Sequence, residues 1–317
     1  MQMMTGRRTG WFGLIGAPSD VGHTDCGAAQ GPAALREAGL LQRLAGAALV
    51  ADMGDVTGPA YEGAAGPDGS RNLAQTAAWC AAVRDRVARV LATGGTPLLL
   101  GGDHAMALGS VAASAAYAAR LGRPLHLLWV DAHPDFNTPE TSPSGNTHGL
   151  PAASICGLGA PELLAVGAFT PLVPPGRLTQ IGVRDIDPGE AANLARAGVC
   201  LHPMKAVRQQ GMPALLIDLL ERVRAENALL HVSFDLDVLD PALAPGVGSP
   251  VPDGLDRESA LAALRLLGDS GLVMALDLVE LAPRHDRDGQ TAELAMALLT
   301  GFLAGERGAL APARVAA

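Results

Sequence analysis

The feature that most constrains this sequence is an alternation of short apolar runs with longer stretches of helical spacing. The apolar runs end near Gly, Asp or His residues, and a helical stretch follows them. Buried parallel strands have this apolar character because helices cover both faces of their sheet. The predicted strands are Trp11–Ala17, Ala48–Met53, Pro97–Leu100, Leu125–Val130, Leu178–Val183, Leu229–Phe234 and Val273–Leu278.

Apolar residues at helical spacing fill most of the intervals between these strands. The predicted helices are Pro32–Leu44, Asn72–Thr93, Ala105–Leu121, Pro188–Ala197, Met212–Glu226, Arg257–Leu267 and Thr291–Ala304. The sequence therefore predicts an α/β fold, with a central, mostly parallel β-sheet and helices on both of its faces.

The alternation continues along the chain without a long linker. At 317 residues the chain could form two small domains, but the unbroken pattern favours one. We expect a flexible N-terminus at residues 1–10, a single α/β domain at 11–305 and a C-terminal tail at 306–317. Two loops rich in Gly and Pro interrupt the pattern, at Thr57–Ser70 and Asp135–Thr147. The first is typical of a surface excursion, whereas the second lies beside an acidic motif.

Charge and hydropathy narrow the classes of partner. The formal charge of -9 includes no cluster of Lys and Arg that could follow a phosphate backbone, which argues against nucleic acid. The N-terminal residues resemble neither a signal peptide nor a membrane span. The sequence therefore predicts a cytoplasmic protein that binds neither nucleic acid nor a membrane.

Polar clusters follow several of the predicted strands directly. They are Gly101–His104, Asp131–Asp135, the pair Asp235 and Asp237, and Glu280. Ligands of open α/β sheets bind beyond the carboxyl ends of the strands, where loops can carry polar groups. We therefore expect these clusters to converge on one site.

The acidic clusters predict a metal site. Asp131, His133 and Asp135 alternate at the end of one strand, and Asp235 and Asp237 alternate at the end of another. In an extended chain such residues share a side. Unpaired carboxylates are costly to bury together, so they must be exposed, protonated or bound to a cation. A ligand set dominated by carboxylate oxygen favours manganese over zinc.

The order and spacing of the motifs resemble those of the ureohydrolase family, which includes arginases, agmatinases and their relatives. The resemblance runs from about Phe12 to Leu303. It is carried by Gly-Gly-Asp-His at 101–104, Asp-Ala-His-Pro-Asp at 131–135, Ser-Phe-Asp-Leu-Asp-Val-Leu-Asp-Pro at 233–241 and Leu-Asp-Leu-Val-Glu at 276–280. It implies the α/β/α fold of that family.

The resemblance also implies two manganese ions per subunit and a hydrolytic activity. One ion would be held by His104, Asp131, Asp135 and Asp235, and the other by His133, Asp131, Asp235 and Asp237. Asp131 and Asp235 would therefore bridge the ions. The two cations would lie roughly 3.5 Å from each other. A hydroxide held between them would attack the guanidinium carbon of the substrate.

Further residues match family positions that act on the guanidinium group. His148 matches the histidine that moves protons to the departing amine, a role suited to an imidazole. Glu280 matches the glutamate that anchors the guanidinium group, and Asp135 would also hydrogen-bond the tetrahedral intermediate. Ser249 stands near this group at a position where arginases commonly have Thr.

Members of the family differ in the residues that bind the end of the substrate opposite the guanidinium group. Asn137 and Ser144 match residues that bind an α-carboxylate, and Asp187 and Glu190 match residues that contact an α-ammonium group. The same Asp-Pro-Gly-Glu segment is also a good capping sequence for a helix. The resemblance therefore implies L-arginine as the substrate, with L-ornithine and urea as products.

Other interpretations stay open at this point. Another guanidino compound could be the substrate, namely agmatine, guanidinobutyrate or formiminoglutamate. A noncatalytic relative that binds arginine or ornithine, or a deacylase with a single zinc ion, would share part of the motif set. The loop at 22–31 lacks an arginine often seen in the family, and Ala105 stands where many relatives have Ser.

The resemblance says less about assembly and about the remaining histidines. Relatives form trimers or hexamers, so we expect a homo-oligomer. The histidines outside the motifs are expected to be structural or exposed, and they are His23, His126, His202, His231 and His285.

Overall fold

The computed structural model describes residues 10–23, 26–61, 65–66 and 69–310, with side chains as far as residue 305. It contains one sheet of eight strands in the order β2-β1-β3-β8-β7-β4-β5-β6, and all neighbouring strands are parallel. The strands are β1 Trp11–Gly16, β2 Leu49–Asp55, β3 Thr96–Leu100, β4 Leu125–Val130, β5 Leu178–Val183, β6 Cys200–Pro203, β7 Leu229–Asp235 and β8 Val273–Val279.

Helices cover both faces of this sheet, which confirms the predicted fold class. They are α1 Gly31–Glu37, α2 Leu40–Ala45, α3 Leu73–Ala92, α4 Met106–Arg120, α5 Pro151–Ile155, α6 Pro161–Leu164, α7 Pro188–Ala197, α8 Met204–Gln210, α9 Met212–Ala225, α10 Arg257–Asp269 and α11 Gln290–Leu310. One apolar core lies under α2, α9, α10 and α11, and a second lies under α3 and α4.

The central strands are buried on both faces, and this explains their continuous apolar sequences. Every residue of β3, β4, β5, β7 and β8 is buried. The edge strands differ, since β2 and β6 consist of exposed and half-buried residues. The strands that precede the acidic motifs therefore lie in the rigid centre of the sheet.

Some local predictions were wrong. The helix predicted over Pro32–Leu44 is two helices, because Gly39 adopts a φ of 90° between α1 and α2. A residue with a left-handed backbone conformation cannot continue a right-handed α-helix. The sequence analysis also missed four short elements, namely β6 and α8 at the edge of the sheet and the helices α5 and α6.

The two ends of the chain were assigned separately in the sequence analysis. Helix α11 continues to Leu310, beyond the predicted end at Ala304. Residues 1–9 and 311–317 lie outside the described residues, so the flexible N-terminus and the tail stay predictions. Within the described part of the chain, no helix has the length and apolar character needed to cross a membrane.

Candidate metal centre and active site

The predicted site residues meet at the carboxyl ends of four adjacent strands, in the spatial order β3-β8-β7-β4. His104 follows β3, Glu280 follows β8, Asp235 ends β7 and Asp131 follows β4. Parallel strands end at the same edge of a sheet, so residues far apart in sequence become neighbours there. The convergence expected from the sequence is present.

His104 forms the centre of a first group of metal-ligating atoms. Its Nδ1 lies 2.9 Å from Asp131 Oδ2, 3.3 Å from Asp135 Oδ2 and 3.0 Å from Asp235 Oδ2. The same nitrogen is buried and makes no hydrogen bond within the described residues. A buried nitrogen facing several carboxylates without a hydrogen bond has the geometry of a ligand directed at a cation.

A second group adjoins the first. His133 Nδ1 lies 2.9 Å from Asp237 Oδ2 and 3.6 Å from Asp131 Oδ1. Asp131 therefore belongs to both groups, with Oδ2 facing His104 and Oδ1 facing His133. A carboxylate that turns one oxygen to each group is suited to bridge two cations.

The electrostatics of these groups favour a bound cation. Burial, followed by the neighbouring carboxylates, raises the pKa of Asp135 and of Asp235 well above the usual range. Burial also opposes ionisation of Asp131, but the closeness of the His104 and His133 rings outweighs it and lowers the pKa of that carboxyl. Divalent cations would offset this crowding of negative charge. The residues present therefore fit a pair of divalent cations.

Neighbouring side chains hold the potential ligands in place. His104 Nε2 lies 2.9 Å from Ser233 Oγ, and Trp129 Nε1 donates a 2.9 Å hydrogen bond to Asp131 Oδ2. The Trp129 ring also stacks on the His104 ring, with centroids 3.9 Å apart. Such contacts fix the orientation of metal ligands. The sequence analysis gave these two side chains no role, although each precedes an aspartate by two residues and so shares its side of the strand.

Glu280 lies beside the metal-ligating groups. Its side chain is buried, and its Oε1 accepts a 2.9 Å hydrogen bond from the His104 backbone N–H and lies 3.3 Å from His148 Nδ1. Burial opposes ionisation, but the contact with His148 outweighs it and lowers the pKa of Glu280. Glu280 has a φ of 66°, a strained backbone value that often marks functional positions. The structure thus supplies a buried carboxylate that can bind a guanidinium cation.

A cleft next to these groups is lined by the residues predicted to contact the substrate, except Glu280, which lies buried beside it. Its walls include the predicted residues Asp135, Asn137, Ser144, His148, Asp187, Glu190 and Ser249, together with His133. Ser142, Asn146 and Asp185 also line it, and the sequence analysis assigned none of them a role. These additional polar groups lie on the same loops as the predicted residues, but only the folded chain brings the loops together.

The acidic end of the cleft is tied to helix α7. Asp187 and Glu190 form a capping box at the start of this helix, as the sequence predicted. Asn137 Nδ2 donates a 2.9 Å hydrogen bond to Asp187, whereas Glu190 accepts from the backbone of Phe136 and of Asp187. Burial raises the pKa of Glu190 to about 7. Glu190 therefore supports the loop that carries Asn137, and this structural role does not depend on a contact between Glu190 and a substrate.

The loop that carries Ser144 is supported by the described part of the Thr57–Ser70 excursion and the residues after it. Arg71 donates a 2.7 Å hydrogen bond from its backbone N–H to Gly145 O. Thr76 Oγ1 lies 2.8 Å from Thr147 Oγ1. The excursion was interpreted as a surface loop, but its Gly69 lies against Gly145 closely enough that a Cβ there would be 2.1 Å from Gly69 O.

Comparisons with known proteins agree with this geometry. The model of the Arginase family matches residues 11–305. The arginase of Bacillus caldovelox is 37% identical over 297 residues, which span 93% of this chain and 98% of that protein. The arginase of Brucella melitensis is 38% identical over 92% of this chain and 95% of that relative.

Solved structures give the same result. The native structure of the Bacillus caldovelox arginase superposes with a TM-score of 0.88 at 36% identity, covering 93% of this chain and 98% of that one. An arginase structure from Bacillus subtilis gives a TM-score of 0.85 at 33% identity, over 93% of this chain and 98% of its own. The chain thus belongs to the arginase family.

Proposed function

We propose that this protein hydrolyses L-arginine to L-ornithine and urea, using two manganese ions. The observation that carries the proposal is the pair of adjoining His and Asp groups that share Asp131, beside a cleft with polar groups for an amino acid. Membership of the arginase family and the similarity to proteins named arginase support it.

The proposed ligands are the six residues of the two groups. They are His104, Asp131, Asp135 and Asp235 for one ion, and His133, Asp131, Asp235 and Asp237 for the other. Carboxylate oxygens predominate, which suits manganese. When bound, two such ions lower the pKa of a water molecule, so that hydroxide is available near neutral pH.

The chain's own residues would orient the guanidinium group and move a proton. Glu280 is buried and negatively charged, so it can pair with the guanidinium nitrogens and hold the plane of the group. Asp135, on the cleft wall, would hydrogen-bond the tetrahedral intermediate. His148, half-buried beside Glu280, would deliver a proton to the departing amine.

The remaining residues of the cleft would select an amino acid. Asn137 and Ser144 can donate hydrogen bonds to an α-carboxylate, while Asp187 and Glu190 offer negative charge to an α-ammonium group. Ser249 follows Gly248, at which an added Cβ would lie 3.4 Å from Glu280 Oε2. Ser249 itself lines the cleft, and the resemblance to the family assigns it to the guanidinium end.

The test is urea release by protein that has been stripped of metal and reloaded with manganese or zinc. L-Arginine, agmatine and guanidinobutyrate are compared, with formiminoglutamate assayed for release of its own product. We expect manganese-dependent hydrolysis of arginine and much weaker hydrolysis of the other compounds. Agmatine as the best substrate would overturn the assignment of the α-carboxylate contacts. Turnover of none of them would favour the noncatalytic alternative.

Two controls sharpen this test. Metal analysis should give two manganese ions per chain, whereas a single zinc ion would favour the deacylase alternative. Glu280→Gln keeps the shape of the side chain but removes its charge, so urea release should fall by about 100-fold or more. Glu162→Gln, at a helix start outside the cleft, should leave the rate unchanged.

We also propose a cytoplasmic homo-oligomer, a trimer or a hexamer, that binds neither nucleic acid nor membranes. The resemblance to the family supports the assembly, and the net charge of -9 supports the absence of nucleic acid. Sedimentation equilibrium should give three or six times the mass of one chain. A monomer at micromolar concentration would contradict the proposed assembly, and cell fractionation would test the location.

A further inference from the structure

His23 contacts the proposed proton-transfer residue although it belongs to none of the sequence motifs. The chain after β1 brings its ring to His148, and the two ring centroids are 4.5 Å apart with an interplanar angle of 79°. This is the edge-to-face arrangement that aromatic rings prefer. The sequence analysis expected His23 to be structural or exposed, and a contact with the active site was not foreseen.

The backbone beside His23 is held against His148 by specific contacts. His148 donates a 3.1 Å backbone hydrogen bond to Gly22 O, and Gly22 N–H donates a 2.6 Å bond to Asp103 Oδ2. A Cβ at Gly22 would lie 2.7 Å from His148 N, so no larger residue fits without movement. The approach of this segment to His148 therefore depends on glycine.

A second anchor lies before His23. Asp20 accepts a 2.5 Å hydrogen bond from Tyr61 OH and a 3.1 Å bond from Gly27 N–H. The His23 backbone N–H in turn donates to Asp20 O at 3.2 Å. These hydrogen bonds thus hold the backbone from which the His23 side chain extends.

Among the described residues, no hydrogen bond at Nδ1 explains the position of the His23 ring. Its Nδ1 is buried and has no hydrogen-bond partner among the described residues. Burial, and then the nearby His148, lowers the pKa of His23, with Glu280 and Asp20 acting in the opposite direction. Within the described part of the chain, the contact that the structure shows for this ring is the edge-to-face contact with His148.

We propose that His23 is a positioning residue for His148, whose ring it holds with Nδ1 directed at Glu280. This inference rests on the proposed function, because His148 matters only if it moves a proton. The contact to be preserved is the 3.3 Å approach of His148 Nδ1 to Glu280 Oε1. Without an edge contact from His23, the His148 ring can rotate away from the departing amine.

The kinetic test compares two substitutions of His23. His23→Phe keeps an aromatic ring but no ring nitrogen, whereas His23→Ala removes the ring. We expect kcat for arginine to fall about five- to tenfold in the Ala variant, with KM within about twofold, and the Phe variant to retain most of kcat. His285→Ala, which removes an exposed histidine, should leave both constants unchanged.

A structural readout separates positioning from a general loss of stability. Crystal structures of the manganese-loaded variants should show one orientation of His148 with His23→Phe, and an altered or split orientation with His23→Ala. If the Ala variant fails to fold, His23→Gln fills similar space without a ring and is expected to behave in the same way. An unchanged His148 orientation together with unchanged kcat in the ringless variant would overturn the proposal.

The two proposals can fail separately. Absence of urea release from the native protein would overturn the proposed function. The orientation of His148 in the variants is measured without turnover, so it still reports whether the His23 ring holds that side chain. A lower kcat and a higher KM in His23→Ala, with the orientation of His148 retained, would also contradict the proposal that His23 positions His148.

Discussion

At the scale of single residues, the metal-ligating groups concentrate negative charge that the protein chain alone does not balance. Asp235 is buried, and burial and the neighbouring Asp237 and Asp131 raise its pKa well above the usual range. Its Oδ1 accepts a hydrogen bond from the Asp237 backbone N–H. Ligands arranged for a cation should therefore destabilise the fold whenever the cation is removed.

The substitution Asp235→Asn tests whether this buried carboxylate destabilises the fold when no cation is bound. An amide keeps an oxygen for the Asp237 N–H and removes a carboxyl that is costly to ionise beside Asp237 and Asp131, so in chelator the variant should melt at the same temperature as the native protein or above it. With saturating manganese the native protein should gain stability, and the variant should gain much less because binding is weaker. Thermal unfolding with and without manganese measures both effects.

A substitution of an exposed aspartate serves as the control for this prediction. Asp269→Asn changes an exposed aspartate on α10 and should leave the response to manganese unchanged. If chelated Asp235→Asn melts well below the native protein, the carboxylate stabilises the fold without metal, and the charge-crowding argument is wrong.

The sequence allowed the charged residues of the site to be predicted better than their neutral neighbours. Asp131 and Asp235 stand out because acids at the end of buried strands need a special partner. Trp129 and Ser233 attract no notice, since apolar and small residues are ordinary in a buried strand. The role of His23 depends on a contact with His148 across 125 positions, and no local pattern reports such a contact.

At the scale of secondary structure elements, helix α7 shows how one segment can serve stability and substrate binding together. Its bounds, Pro188–Ala197, agree with those predicted, because Asp187, the following proline and Glu190 are strong start signals. The same Asp187 faces the cleft and accepts a hydrogen bond from Asn137. The two roles make different demands, since capping needs a polar oxygen and ammonium binding needs a charge.

Paired substitutions of Asp187 should separate these roles. Asn caps a helix about as well as Asp, so Asp187→Asn should keep most of the stability while KM for arginine rises. Asp187→Ala should raise KM as well and also lose about 1 kcal/mol in the free energy of unfolding. Steady-state kinetics and urea denaturation measure the two effects.

A second capped helix supplies the matched control. Asp256 accepts hydrogen bonds from the backbone and side chain of Ser259 at the start of α10, outside the cleft. Asp256→Ala should therefore lose about 1 kcal/mol of stability with unchanged KM. Equal kinetic effects of the Asp256 and Asp187 substitutions would mean that KM only follows the loss of a cap.

At the scale of the whole molecule, the alternation of apolar runs and helical stretches was enough to predict the parallel sheet and its two helical layers. The order of the strands was not predictable in this way, because local patterns say nothing about which strands pair. The edge strand β6 was missed because its four residues are too few to form an apolar run like that of β4 or β7. The other edge strand, β2, is also exposed or half-buried, but it is seven residues long and was predicted.

Burial of polar groups in this core also makes the stability of the molecule depend on pH. His126, on the central strand β4, is 2% exposed, and neither of its ring nitrogens makes a hydrogen bond within the described structure. Its Nε2 does lie 3.3 Å from Glu226 Oε2. Burial lowers the pKa of His126 despite the nearby Glu226, and Arg177 and Arg222 add to the effect.

The sign of this contribution follows from proton linkage. As the pH falls below the unfolded pKa of about 6.5, the unfolded chain takes up a proton that the buried ring resists. The free energy of unfolding should therefore decrease on acidification, by at most about 1.4 kcal/mol per pH unit for one proton. The substitution His126→Leu removes the group that takes up this proton in the unfolded chain. The variant should therefore lose less stability than the native protein between pH 8 and pH 5.5.

Urea denaturation at the two pH values, in chelator to exclude effects on metal binding, measures the difference. The informative quantity is the change in stability between the two pH values, because a leucine in the core can also alter stability at every pH. His285→Leu, at an exposed position, should retain the native pH dependence. If His126→Leu loses as much stability on acidification as the native protein, the acid sensitivity arises elsewhere, and His126 titrates alike in the folded and unfolded chains.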